Sequence, residues 1–186
     1  MRPKMLHGLA VSHQTQYQRT GDVGYIEEGI EHLYDASKLV ISGHPDSRHF
    51  LNFLAANLLD RFRHHGADKD IADAIKHFRS SISLFPEGHP ELTGMLSNFA
   101  SYLRLIFFGH GNAEYLEESI ALSRSAVEFP FSSVRGRLKA ASDWTVTAHC
   151  TQHPSALTAY RKALSLLQHV IDLGSTVQTR HEYISS

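Results

Sequence analysis

The sequence contains a single cysteine, only six prolines, and no apolar run near the length of about 20 residues that spans a bilayer. The lone thiol, Cys150, excludes an internal disulfide and any zinc or iron–sulfur site built from several thiolates. The stretch Met1 to Leu9 has two basic residues but no apolar core long enough for a signal peptide. Neither charge sign dominates, with 18 Lys and Arg against 19 Asp and Glu, so no global field draws the chain toward nucleic acid or an acidic membrane. Phosphate-cradling glycine loops and the Gly-x-Ser-x-Gly nucleophile turn are also missing. The expectation is a cytoplasmic protein with no nucleic-acid or membrane partner, no cofactor and no enzymatic activity.

What is present is a repeat. Gly21, Gly66 and Gly111 recur at a spacing of 45 residues. The same register holds Leu6, Leu51 and Leu96; Leu9, Leu54 and Phe99; Ala10, Ala55 and Ala100; Tyr17, Phe62 and Phe107; Ile26, Ile71 and Leu116; and Ile30, Ile75 and Ile120. Within a unit, Leu51, Leu54, Ala55, Leu58 and Phe62 step by three and four, as one face of a helix does. Ile71, Ala74, Ile75, Phe78, Ile82 and Phe85 repeat that step beyond Gly66. Each unit therefore reads as helix A, a glycine turn and helix B. Proline stops helix B at Phe85-Pro86 and Phe129-Pro130, and loops written Gly43-His44-Pro45-Asp46 and Gly88-His89-Pro90-Glu91 lead to the next unit.

Small residues at Ala10, Ala55 and Ala100, and at Gly29, Ala74 and Ser119, predict close approach of helix A to helix B. The fold class expected is all-α, a right-handed helical-hairpin solenoid of three clear units (5–45, 46–90 and 91–133) and a degenerate fourth (134–174). A tail over 175–186 completes a single repeat domain over 1–186. In the fourth unit, 138–150 reads as helix A. Residues 155–173 read as helix B, with Leu157, Tyr160, Ala163, Leu164 and Leu167 on its packed face and Gly174 at its end.

The order leucine-small in helix A, glycine at the turn, Ala-Ile in helix B and proline after it resembles the tetratricopeptide repeat, lengthened by about 11 residues from the usual 34. Asn57 to Gly66, Ala72 to Phe78, Pro86 to Pro90 and His153 to Leu167 are similar to the arrays that precede the CHAT domain, a caspase-like peptidase, in fungal proteins. The resemblance implies a scaffold that binds proteins. The peptidase's catalytic histidine and cysteine have no counterpart in these 186 residues, and Cys150 lies within the repeats, so proteolysis does not carry over.

Fourteen histidines raise a metal or acid–base alternative, with His149, Cys150 and His153 as the weak candidate cluster. The His-Pro pair at 153–154 repeats 44–45 and 89–90, which points to loop architecture instead, and Cys150 is expected to be a buried structural thiol. Glu27-Glu28 and Glu117-Glu118 sit where carboxylates complement the dipole of helix B.

In tetratricopeptide stacks, the concave surface is lined mainly by helix A residues that do not face the core. In this register the candidate partner-binding residues are Gln14 and Gln18, then Asn52, Leu59 and Arg63, then Asn98, Ser101, Arg104 and Phe108. Amides, hydroxyls and arginines of this kind hold a peptide backbone or clamp a carboxylate. Leu59 and Phe108 would be apolar anchors on a wet face. A protein or peptide partner is the first expectation and a homodimer the second.

Overall fold

A computed structural model describes residues 2–39, 46–86 and 88–185, with side chains to Asp172 from Pro3 onward. The loop expected over 43–45 lies outside these. Among the described residues every regular element is an α-helix: α1 (Arg2–Thr20), α2 (Gly24–Leu39), α3 (Ser47–His65), α4 (Asp68–Ser83), α5 (Leu92–His110), α6 (Ala113–Glu128), α7 (Val134–Cys150) and α8 (Ala156–Ser185). They pair as the hairpins α1·α2, α3·α4, α5·α6 and α7·α8. The chain forms two compact units, Met1–Pro86 and Glu87–Ser186, each of two hairpins.

The hairpin turn has a recurring cause. Gly21, Gly66 and Gly111 all adopt a left-handed φ of 71°, 68° and 72°. Their N–H groups donate to the carbonyls of Tyr17, Phe62 and Phe107 at 2.8, 2.7 and 2.7 Å, closing the end of helix A. A side chain at this φ would be strained, so glycine is favoured there. Asp22 and Asn112 then cap helix B, their Oδ1 atoms accepting from the N–H of Gly24 at 3.0 Å and of Glu114 at 2.9 Å. Ala67 holds the equivalent place in the second hairpin with no side-chain cap.

Close approach of the paired helices is visible at the small residues. Ala10, Ala55, Ala100, Ala74 and Ser119 are buried. The Ser119 hydroxyl donates to the carbonyl of Ala100 at 2.7 Å, and a Cβ on Gly29 would lie 3.7 Å from the carbonyl oxygen of Ala10. Both contacts use the same pair of repeat positions. In the first unit the core is completed by Ile26, Ile30, Leu33, Leu54, Leu58 and Phe78, and in the second by Leu96, Phe99, Leu103, Ile106, Ile120, Val127 and Trp144.

An ion pair also lies in the first unit. Arg61 donates from Nε to Asp70 Oδ2 at 2.9 Å and from a terminal nitrogen to Oδ1 at 2.6 Å, tying the end of α3 to the start of α4. The hydrogen bonds to Asp70 raise the pKa of Arg61 further above its ordinary value.

Several positions depart from the sequence reading. Leu9 is exposed, whereas its register partners Leu54 and Phe99 are buried. Gly174 does not end the last helix, since α8 continues to Ser185. On α8, Leu157, Tyr160, Leu164 and Leu167 are exposed, while Ala163 is half-buried on a packed face with the buried Ala159 and Leu166 and the half-buried Ala156 and Val170. Cys150 is exposed as well. The apolar register marks which residues face a neighbouring helix, and these lie where no neighbour stands among the described residues.

Two histidines in the first unit predict an acid sensitivity. His7 lies against the rings of Phe50 and Phe53 at centroid distances of 5.0 and 5.4 Å, and His77 meets Tyr34 at 6.3 Å. Burial, the largest cause, lowers both pKa values from the ordinary 6.5; His49 adds to this at His7, while Asp73 opposes it at His77. The unfolded chain therefore binds more protons at these sites than the folded one. Their stabilising contribution is present above 6.5 and is lost as pH falls through the lowered folded values. We expect the urea midpoint to fall between about pH 7.5 and about pH 5.5, and His77→Phe to flatten part of that slope. An unchanged slope in His77→Phe would remove His77 from this account.

Candidate partner-binding face

The second unit brings two A helices side by side. α5 and α7 pack against each other, and a groove of about 380 Å³ opens between their N-terminal halves. One wall carries Glu91, Thr93, Gly94 and Asn98, and the other carries Ser133 and Lys139. The Ser133 hydroxyl caps α7 by accepting from the N–H of Gly136 at 3.1 Å. A Cβ on Gly136 would stand 3.0 Å from Ser132 Oγ and 3.2 Å from Ser133 Oγ, so a glycine here lets the cap fold tightly over the helix start. Lys139 is held by Asp143 at 2.9 Å.

One residue lining the groove, Thr93, has an unsatisfied group. Thr93 Oγ1 is buried and has no hydrogen-bond partner. A buried hydroxyl in that state costs free energy until a partner reaches it. Farther along α5 the helical step from Asn98 leads through Ser101 and Leu105 to Phe108. Asn98 is exposed, Ser101 and Arg104 are half-exposed, and Phe108 is 58% exposed. Arg104 has no ion-pair partner among the described residues. Leu105, and Val146 on α7, are exposed apolar residues that the sequence reading passed over. Continuing the helical step from Asn98 on α5 and from Lys139 on α7 would have found both.

In the first unit the predicted residues behave differently. Gln14 Nε2 on α1 donates to Asp60 Oδ2 on α3 at 2.8 Å, and Arg63 reaches Asp60 Oδ1 at 3.4 Å. The structure thus brings Gln14 and Arg63 together around a carboxylate that the sequence reading did not single out. Gln14 Oε1 and Asn52 Oδ1 are buried and unpartnered, while Gln18 is exposed.

Leu59 is a correction: it is 1% exposed and belongs to the core. Its register partners are Gln14 and Arg104, both half-buried, so this position points toward a neighbouring helix, where an apolar side chain goes fully inside. A leucine in a register otherwise held by Gln and Arg was the available signal. The register of Gln18, Arg63 and Phe108 is exposed in all three hairpins.

The histidine cluster does not converge. Trp144 Nε1 donates to Ser155 Oγ at 2.9 Å, and Ser155 Oγ lies 2.7 Å from His153 Nδ1, which also accepts from the N–H of Ser155 at 3.1 Å. His153 Nε2 faces Glu117 at 3.3 Å. Because Nδ1 accepts from the Ser155 N–H, the ring proton of neutral His153 belongs on Nε2, on the side of Glu117. His149 meets the ring of Tyr160 edge-on at 6.1 Å. Among the described residues, no three His, Cys, Asp or Glu side chains are grouped to hold a metal ion. None of the helices is long and apolar enough to cross a membrane over the described residues.

Neither a protein-family model nor a curated protein matches the sequence. Solved structures do match in fold. A de novo designed helical repeat protein superposes with a TM-score of 0.51 at 15% identity, over 97% of this chain and 96% of its own. A Podosopora anserina protein described as a kinesin light chain with nearly identical TPR-like repeats gives 0.52 at 17% identity, over 94% of this chain and 77% of its own. At these identities the likeness concerns fold alone. The chain has the all-helical, hairpin-paired fold of TPR-like repeat proteins.

Proposed function

We propose that this chain is a non-enzymatic protein-interaction scaffold that holds an extended peptide segment of a partner in the groove between α5 and α7. The fold is one used generally for protein interaction. The observation that carries the reading is the α5–α7 groove itself, lined by Thr93, Asn98 and Lys139, with the exposed Leu105 and Phe108 farther along α5. Peptide backbone supplies both donors and acceptors to such a wall. Beyond it, Arg104 would take a carboxylate, and the exposed Leu105 and Phe108 an apolar side chain. Leu59, a core residue, takes no part in such a contact.

The resemblance to arrays that precede a caspase-like peptidase makes a segment of such a peptidase the first partner to try, with the scaffold in a regulatory role. A histidine-based metal enzyme finds less support, because His149 and His153 point to different neighbours.

A random peptide library displayed on phage and panned on the wild-type chain tests the proposal. Selected peptides should bind Asn98→Ala and Phe108→Ser variants about tenfold or more weakly, since truncating a central contact typically costs about 1–2 kcal/mol. Peptides that bind both variants as they bind the wild type would move the site off this face.

A further inference from the structure

The last helix leaves an apolar stripe uncovered. Leu157, Tyr160, Leu164, Leu167 and Ile171 recur at steps of three and four on α8, and all five are exposed. An offset of 40 residues, aligned by the buried pair Ser119 and Ala159 and the buried pair Ala126 and Leu166, places Tyr160, Leu164 and Leu167 at the positions of Ile120, Arg124 and Val127 on α6. In that alignment Ile120 is 3% exposed against 42% for Tyr160, and Val127 is 1% exposed against 44% for Leu167.

α6 differs in having α7 packed on it. The Arg124 guanidinium, at the position of Leu164, sits 5.4 Å from the Trp144 ring centroid on α7, and Arg137 Nε on α7 donates to the Val127 carbonyl at 2.7 Å. Tyr160, Leu164 and Leu167 therefore hold the positions at which α6 receives α7, whereas Leu157 matches the exposed Glu117.

The opposite half of that interface is also open. α3, with α2 ahead of it, buries Phe50 and Leu54. Their register equivalents on α1 are Met5 and Leu9, which are exposed, with no hairpin ahead of α1 among the described residues. Each end thus carries one half of the contact made as α2·α3 in the first unit and as α6·α7 in the second.

We propose that α8 of one copy receives α1 of a second copy, head to tail, with Leu164 and its neighbours covering Met5 and Leu9. The occupant is argued from continuity with an interface the chain already makes twice. The contact is heterologous, because two different surfaces meet. It does not depend on the α5–α7 groove.

Sedimentation velocity on the full chain between about 1 and 100 μM should show the mass rising with concentration. Leu9→Glu and Leu164→Glu each put a carboxylate into one half of the contact at an exposed position, and each variant should sediment mostly as a monomer. Mixed in equal amounts they should form a dimer, since the first retains an intact α8 and the second an intact α1. Met5→Lys and Tyr160→Lys provide a second pair should either glutamate variant lose helicity by circular dichroism. A wild-type chain that stays monomeric across the range overturns the proposal and leaves the stripe to a different partner. Association of Leu9→Glu equal to that of the wild type also overturns it, because α8 would then be pairing without α1.

Discussion

Replacing Trp144 with alanine is expected to cost about 3–5 kcal/mol, the range for truncating a large buried aromatic. Trp144 is a fully buried side chain of the 87–186 unit and does three things at once. Its ring fills the space beneath Arg124, its indole N–H is bonded to Ser155, and Ser155 in turn is bonded to His153 at the turn into α8. Truncation leaves a cavity, and it also leaves the Ser155 hydroxyl without its donor. Urea denaturation followed by circular dichroism measures the loss. Ser155→Ala separates the two contributions, because it removes the hydrogen bond and keeps the ring; about 1 kcal/mol is expected for it. A Trp144→Ala loss no larger than that of Ser155→Ala would mean that the ring contributes little by packing.

The second large effect concerns Arg61 and Asp70. Removing one partner from a fully buried ion pair costs about 3–5 kcal/mol, because the other charge is stranded. Here the two sides are unequal: the Asp70 side chain is almost fully buried, while the Arg61 side chain is partly open to water. A stranded Arg61 can rehydrate, so Asp70→Ala should fall at or below the low end, about 2–3 kcal/mol. Arg61→Ala strands the buried carboxylate and should cost more. Both variants and the double variant, compared by urea midpoint, test this order. If Arg61→Ala proves milder than Asp70→Ala, the carboxylate finds another donor and the asymmetry of burial does not govern the pair.

The helix pattern was largely legible in the residues, and the reasons are local. A left-handed glycine at 21, 66 and 111, a small residue wherever helix A meets helix B, and proline after Phe85 and Phe129 each act within a few residues of chain. Periodicity of three and four then identifies the faces that carry apolar side chains.

The binding face was less legible, because a residue's exposure depends on whether a neighbour stands on its register. Leu59 looked like an anchor and proved to be core, whereas Phe108, in another register, is open. Asp60, which gathers Gln14 and Arg63, could not be identified from helix spacing alone, since its partner Gln14 lies on a different helix.

By itself, then, the sequence determined the helices, their turns and their pairing into hairpins, since these follow from backbone sterics and from spacing along a single helix. Only the tertiary structure decided which apolar stripes are covered. It buries Ile120 and Val127 on α6, where α7 stands over them, and leaves Tyr160 and Leu167 on α8 exposed. The physical reason is that burial is a property of two surfaces in contact, and a periodic stripe records only one of them.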